Sequence, residues 1–449
     1  MTLVRSGSRT TTPLSQVDVQ FNRVSNALDI QKHIRPDRDR KSHHTPRGGR
    51  SSICQATALL TPQTNVQAGK RRKDQMRKEA AMMIACLVFI GAGVRSLRPA
   101  LKVTRRFSSV VVTSNTAQGG DQRGVKDPLY FFYNDIFHVK MPEGHRFPME
   151  KYAAFRRQAQ QRLFSLPGVG FHPSPLSTVR DLETTHDRSY IQRYLVGNVT
   201  AQEKRESGFD WNEQHVNRTL SSVGGTVAAT HAVLQSDLPV GAHLAGGTHH
   251  AFQARMEGFC IFSDIAVAAN VALRDYPDKV RKILIVDLDT HQGNGNAVLF
   301  QDDSRVFTFS MHCDANYFSE KQASDLDVEV KPGTGDAGYL SLLERYLPLV
   351  FEAQAPDLVF FQAGVDIHAS DRLGKLALTR AGLQRRNLRL FQFVEAYGSK
   401  LVVTAGGGYP SDSDPSSGPY ADIINAHADV YVGAAEFFGG GSKMVPLLR

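Results

Sequence analysis

Asp287, Asp289 and His291 close an apolar run in VDLDTHQGNG (286–295) and carry the strongest chemical signal in the chain. In an extended segment, residues i, i+2 and i+4 point to one side. One edge therefore presents two carboxylates and an imidazole. Carboxylate oxygen and imidazole nitrogen without thiolate suit zinc, or a similar divalent ion, with a coordination position left open. The plainer alternative is a polar strand end followed by a Gly-Asn-Gly turn. Further along, AGVDIHASDRLG (363–374) offers Asp366 as a third ligand, with Asp371 as a competitor and turn capping as the bland role. Three protein ligands leave room for a water, whose pKa a metal lowers.

Two more loops carry chemistry-bearing residues. GGTHHAF (246–252) sets His249 beside His250. Adjacent imidazoles can take a proton from water and pass one to a leaving amine. They can equally ligate a metal or sit in an ordinary polar loop. AGGGYP (405–410) places three glycines ahead of Tyr409. Glycines permit close backbone approach to a ligand, and a phenol can stabilise a developing oxyanion. A glycine-rich loop with a surface tyrosine is the alternative. No GxGxxG or P-loop pattern points to a nucleotide.

Each of these loops follows an apolar run. Segments 240–244, 282–287, 305–310, 358–362 and 400–404 are short, rich in Val, Ile, Leu and Phe, and stopped by polar or Gly residues, which predicts buried strands. Helices are predicted between them at 217–234, 264–276, 339–353 and 379–396. Strand–helix alternation predicts an α/β fold of three layers, α-β-α, around a mostly parallel central sheet. Ligands of such sheets bind at the carboxyl ends of the strands, where all the motifs fall.

The 449-residue chain has a soluble composition and a net charge of +9, unevenly spread. Residues 1–126 hold 23 Lys/Arg against 7 Asp/Glu, net +16, and residues 127–449 hold 30 against 37, net −7. This predicts a basic, largely disordered leader (1–126) on a mildly acidic, ordered body (127–449). Within the leader, an apolar run at 80–94 is shorter than the ~20 residues of a spanning helix, so no transmembrane span is expected. Basic, Ser-bearing, acid-free sequence follows at 95–112. Segment 76–112 thus has the composition of a mitochondrial or plastid transit peptide, with translation starting at Met76 as one explanation. An untargeted basic tail, in a nuclear or cytoplasmic protein, is the alternative. The tail lacks interleaved aromatics, so no specific nucleic-acid site is expected. Four cysteines without a CxxC pair predict a reducing, intracellular compartment.

HisHis, Asp-x-Asp-x-His, Gly-Val-Asp and Gly-Gly-Gly-Tyr, in this order along the chain and each after a predicted strand, resemble the histone deacetylase superfamily with its arginase/deacetylase fold. PEGHRFPMEKY (142–152), EGFCIFSD (257–264), SDLDVEV (324–330) and PGTGDAGYL (332–340) support the resemblance, which spans about residues 129–438. HQGNG and GGTHH are closer to the bacterial-type and class IV enzymes. The resemblance implies Asp289, His291 and Asp366 as zinc ligands, His249 and His250 as the general acid/base pair, and Tyr409 as hydrogen-bond donor to the substrate carbonyl. It implies Gly258 and Phe259 as tunnel wall, with Tyr317 or Phe318 opposite. Asp287 would orient His249 and, with Ser310, hold a monovalent cation, K⁺. Asn294 would partner His250 where class I and class II members carry Asp. A neutral amide supports an imidazolium less than a carboxylate does, so His250 is expected to titrate below His249. No counterpart is found for the loop aspartate that grips substrate backbone in class I.

The implied activity is zinc-dependent hydrolysis of the Nε-acyl amide of acetyl-lysine in proteins, histones among the candidates. Small acetylated amines such as acetylpolyamines are the second substrate class. A non-catalytic scaffold is the third reading, against which the intact ligand, histidine and tyrosine set speaks. A binuclear manganese site of the arginase type lacks its extra ligand aspartate.

Overall fold

A computed structural model describes residues 129–439 except Pro167 and Phe318. The leader with its 76–112 segment, and Phe318, lie outside the described residues.

Eight strands form one sheet: β1 (Leu129–Tyr133), β2 (Val169–Pro173), β3 (Val240–His243), β4 (Ile283–Asp287), β5 (Val306–Cys313), β6 (Leu326–Val330), β7 (Leu358–Gln362) and β8 (Lys400–Thr404). Their order is β2-β1-β3-β8-β7-β4-β5-β6. Every pairing is parallel, so "mostly parallel" becomes wholly parallel. The five predicted strands are β3, β4, β5, β7 and β8. The sequence pattern missed β1 and the two edge strands, β2 and β6, each of which leaves several residues incompletely buried. Edge strands lack the continuous apolar run that burial on both faces demands.

The two-residue period of the strands divides the core. Ile283 and Ile285 of β4, Leu358 and Phe360 of β7, and Val402 of β8 pack into one apolar cluster. Their neighbours Leu284, Val286, Val359, Phe361, Leu401 and Val403 pack into the other. Helices Glu213–Gln235 and Asp264–Asp275 cover the first face. Helices Lys151–Arg162, Asp336–Gln354, Arg380–Tyr397 and Gly418–Gly439 cover the second. Among the described residues, no helix is long and apolar enough to cross a membrane.

Register then sets the site. His243 of β3 pairs with Thr404 of β8, Thr404 with Gln362 of β7, and Gln362 with Asp287 of β4. Four adjacent central strands therefore end level. The loops that follow them are the four that carry the chemical motifs.

Candidate active site

Beyond β4, Asp289, His291 and Asp366 converge: one donor atom from each lies within 4.8 Å of the others, and all three side chains are buried. His291 Nδ1 is 3.2 Å from Asp289 Oδ1 and 3.1 Å from Asp366 Oδ2. Backbone N–H groups aim the carboxylates. Gly407 N–H donates to Asp289 Oδ2 (2.8 Å) and Thr290 N–H to Asp366 Oδ1 (2.9 Å). Gly364 and Gly407 must be glycine here. A Cβ at Gly364 would lie 2.2 Å from Asp289 Oδ2, and one at Gly407 would lie 2.1 Å from Asp366 Oδ2. Arg386, fully buried, ties the β4 and β7 loops together from beneath by donating to the carbonyls of Leu288 and Gly364.

The donor set fits a metal ion. Burial, and then the charge of Asp289, push the Asp366 carboxyl up to about 8. Two adjacent buried carboxylates beside an imidazole, without thiolate, match a three-ligand zinc site. Asp371 is not part of this group. It accepts backbone N–H bonds from Leu373, Gly374 and Tyr409, and so fixes the loop that carries the phenol.

His249 and His250 stand side by side with ring centroids 4.0 Å apart. His249 Nδ1–H donates to Asp287 Oδ2 at 2.7 Å, and its Nε2 is 4.0 Å from Asp289 Oδ1. Burial opposes charge on His249, but Asp287 and Asp289 outweigh it and raise the ring to about 9. His250 Nδ1 meets Asn294 Oδ1 at 2.8 Å. Burial, reinforced by the charges of His249 and His291, holds His250 well below the usual imidazole range. The expected order of the two histidines agrees with these directions. Ser310 pairs with Asp287 across β4 and β5, and its hydroxyl is 3.0 Å from His312 Nδ1.

Tyr409 is buried above this floor. Burial, then Asp289 and Asp366, push its phenol well above the usual range, so it stays an O–H donor. Lys151 explains how the glycine loop is held. Its buried ammonium donates to the carbonyls of Gly408 (3.0 Å) and Gly406 (3.3 Å) and lies 5.2 Å from the Tyr409 ring centroid. Sequence reasoning missed Lys151, because nothing local distinguishes a lysine beside apolar residues from a solvated one.

Phe259 and Tyr317 line a cavity of about 300 Å³ together with His250, His291 and Tyr409. Phe259 is a bulky residue at φ 67°, next to Gly258 at 55°. Gly258 N–H and Phe259 N–H donate to the carbonyls of Glu206 and Ser207, which hold this unfavourable backbone in place. An inner chamber of about 60 Å³ shares His250, Phe259 and Tyr409 and adds His249, Cys260 and Gly407. Exposed Arg146, Arg205 and Lys375, with Glu206 as the single acid, line the outer cavity.

The histone deacetylase domain model matches residues 145–420, more than half of the chain. The chain belongs to the histone deacetylase family. An uncharacterised protein of Picosynechococcus is 40% identical over 299 residues, 67% of this chain and 98% of that protein. Histone deacetylase 2 of Arabidopsis thaliana is 34% identical over 194 residues, 42% of this chain and 49% of its own length. The acetoin utilization protein AcuC of Staphylococcus aureus is 28% identical over 255 residues, 52% of this chain and 65% of AcuC. The chain thus spans about half of the plant relative and under two thirds of AcuC. The crystal structure of the HDA15 HD domain superposes with a TM-score of 0.56 at 21% identity, covering 68% of this chain and 88% of that one, and shares the fold. As a member of the histone deacetylase family, the chain is a hydrolase of the deacetylase type.

Proposed function

We propose that the protein is a zinc-dependent deacylase of Nε-acetyl-lysine in protein segments. The observation that carries this reading is the buried Asp289–His291–Asp366 group beneath two oriented histidines and a phenol. Zinc held by those three residues would polarise the amide carbonyl and acidify the attacking water. The chain supplies the rest. His249, poised by Asp287, and His250 share the work of taking the water proton and returning one to the amine. Tyr409 O–H donates to the carbonyl oxygen as it gains charge. Gly258, Phe259 and Tyr317 flank the aliphatic stem of lysine and exclude water. Asp287 and Ser310 are the proposed holders of K⁺ beneath His249, which would fix the Asp287 carboxylate in position.

Charge at the outer cavity favours protein over polyamine substrates. Arg146, Arg205 and Lys375 would repel an acetylpolyamine, with Glu206 alone to offset them. A basic histone tail meets the same repulsion, so the proposed target lysine lies in a neutral or acidic segment. The relatives' names, histone deacetylase and acetoin utilization protein, do not choose between these classes. For the leader we propose an organelle address, read from composition at 76–112; the N-terminal residue of the protein purified from cells tests it.

The test is turnover of acyl-lysine peptides of varied acyl length and flanking charge, and of acetylputrescine, with and without a zinc chelator. Chelator-sensitive hydrolysis of an acetyl-lysine peptide with acidic flanks is expected to lead. Faster turnover of acetylputrescine would replace this reading with the polyamine one.

A further inference from the structure

Glu257 is a buried carboxylate that the mechanism above does not use. It begins the tight reversal Glu257–Cys260, in which Glu257 N–H donates to the Cys260 carbonyl and Cys260 N–H to the Glu257 carbonyl. Both central residues, Gly258 and Phe259, have positive φ, as in the turns that close two-residue hairpins. One turn thus sets Phe259 against the cavity and turns Glu257 inward.

Inside, Glu257 Oε1 accepts two hydrogen bonds: from Asn294 Nδ2 (2.9 Å) and from the Tyr317 hydroxyl (2.9 Å). Its other oxygen is 3.2 Å from Arg255 Nη2. An ionised carboxylate only accepts. Asn294 must therefore turn its NH₂ to Glu257 and its oxygen to His250, and Gly295 N–H, 2.9 Å from that same oxygen, agrees with this orientation. The Tyr317 hydroxyl, whose O–H donates to Glu257, also faces His250 Nδ1 with a lone pair, at 3.2 Å. Both neighbours of Nδ1 are acceptors. His250 is then held as the Nδ1–H tautomer, with Nε2 as its basic nitrogen.

We propose that Glu257 is a positioning residue for His250: it supplies, one hydrogen bond further out and through Asn294 and Tyr317, the carboxylate that position 294 lacks. Resting on the deacylase reading, this extends the catalytic unit to a residue that touches neither substrate nor metal. In a buried site a carboxylate polarises the groups that bond it, which strengthens both acceptors at Nδ1. A carboxylate at 294 would replace Glu257 but clash with it, because two adjacent buried carboxylates cannot both stay charged.

The experiment compares wild type, Glu257→Gln, Asn294→Asp and the double variant, each loaded with zinc. The first readout is the ¹⁵N spectrum of the His250 ring, which reports the tautomer without turnover. The second is kcat and KM on an acetyl-lysine peptide. Glu257→Gln should move His250 away from pure Nδ1–H and lower kcat about tenfold, with KM within twofold. Asn294→Asp alone should also impair kcat, while the double variant regains the wild-type tautomer and most of kcat. A His250 spectrum unchanged by Glu257→Gln overturns the proposal even if activity falls, and so does a double variant no better than Glu257→Gln. Tautomer changes of the expected kind in a chain inert towards every acyl-lysine peptide would uphold the relay and sink the deacylase reading instead.

Discussion

His249 and His250 are neighbours in sequence and nearly stacked in space, yet they belong to opposite halves of the site. His249 sits on an acidic floor, bonded to Asp287 and 4.0 Å from Asp289. His250 faces a wall whose nearest groups, Asn294 and Tyr317, are neutral, with the Glu257 carboxylate one bond behind them. Burial is common to both and disfavours charge on both. The charged neighbours decide the sign: Asp287 and Asp289 raise one ring to about 9, whereas the charges of His249 and His291 reinforce burial and hold the other low. Residue type names an imidazole; its neighbours give it a role.

The strongest way to break this comparison is to empty the floor. Asp289→Ala should abolish both zinc retention and activity, read by metal analysis and peptide turnover of the purified variant. Zinc retained at wild-type stoichiometry would move the metal site elsewhere. Tyr409 overlooks both halves. Tyr409→Phe should keep zinc bound and lower turnover roughly a hundredfold or more, the scale of losing an oxyanion donor. Unchanged turnover would remove the phenol from the chemistry. A direct measure comes from NMR titration of the two rings, where His250 should protonate at a lower pH than His249. The reverse order would refute the division into floor and wall.

A smaller effect sharpens the contrast with a structural histidine. His186 is fixed by backbone: Nδ1–H donates to the Phe252 carbonyl (3.0 Å), and Nε2 accepts Ser263 N–H (2.9 Å). Burial brings it from 6.5 to about 4, against the pull of those carbonyls. An unfolded imidazole takes its proton near 6.5, whereas the folded one resists until about 4. Between those values the unfolded chain holds more protons, so stability rises with pH. This contribution is complete above about 6.5 and is lost as pH falls towards about 4, at about 1.4 kcal/mol per pH unit. His186→Gln should flatten the dependence of urea-unfolding free energy on pH in that window by this amount. An unaltered slope would show that His186 does not stay neutral in the folded state.

Much of this site was legible in the chain. Strand ends followed by polar motifs predicted where Asp287, Asp289, His291, Asp366, His249, His250 and Tyr409 would gather, because the two-residue period and the run of apolar residues announce a buried parallel strand wherever they occur. The edges were harder. Leu326–Val330 alternates apolar and charged residues, the period of a strand with one wet face, but lacks the continuous apolar run that marked the central strands; it pairs with β5 at the sheet edge.

What the sequence determined by itself was local: which residues could ligate, titrate or donate, and that each followed a buried strand. Tertiary structure decided which of them meet. Asp366 rather than Asp371 joins the ion-binding group because β7 and β4 end level, while Asp371 spends its oxygens on backbone N–H groups. Glu257, Lys151 and Tyr317 acquire their partners across 37, 255 and 67 residues of chain. Hydrogen bonds act over about 3 Å of space regardless of separation along the chain, so such partnerships leave no trace in local pattern.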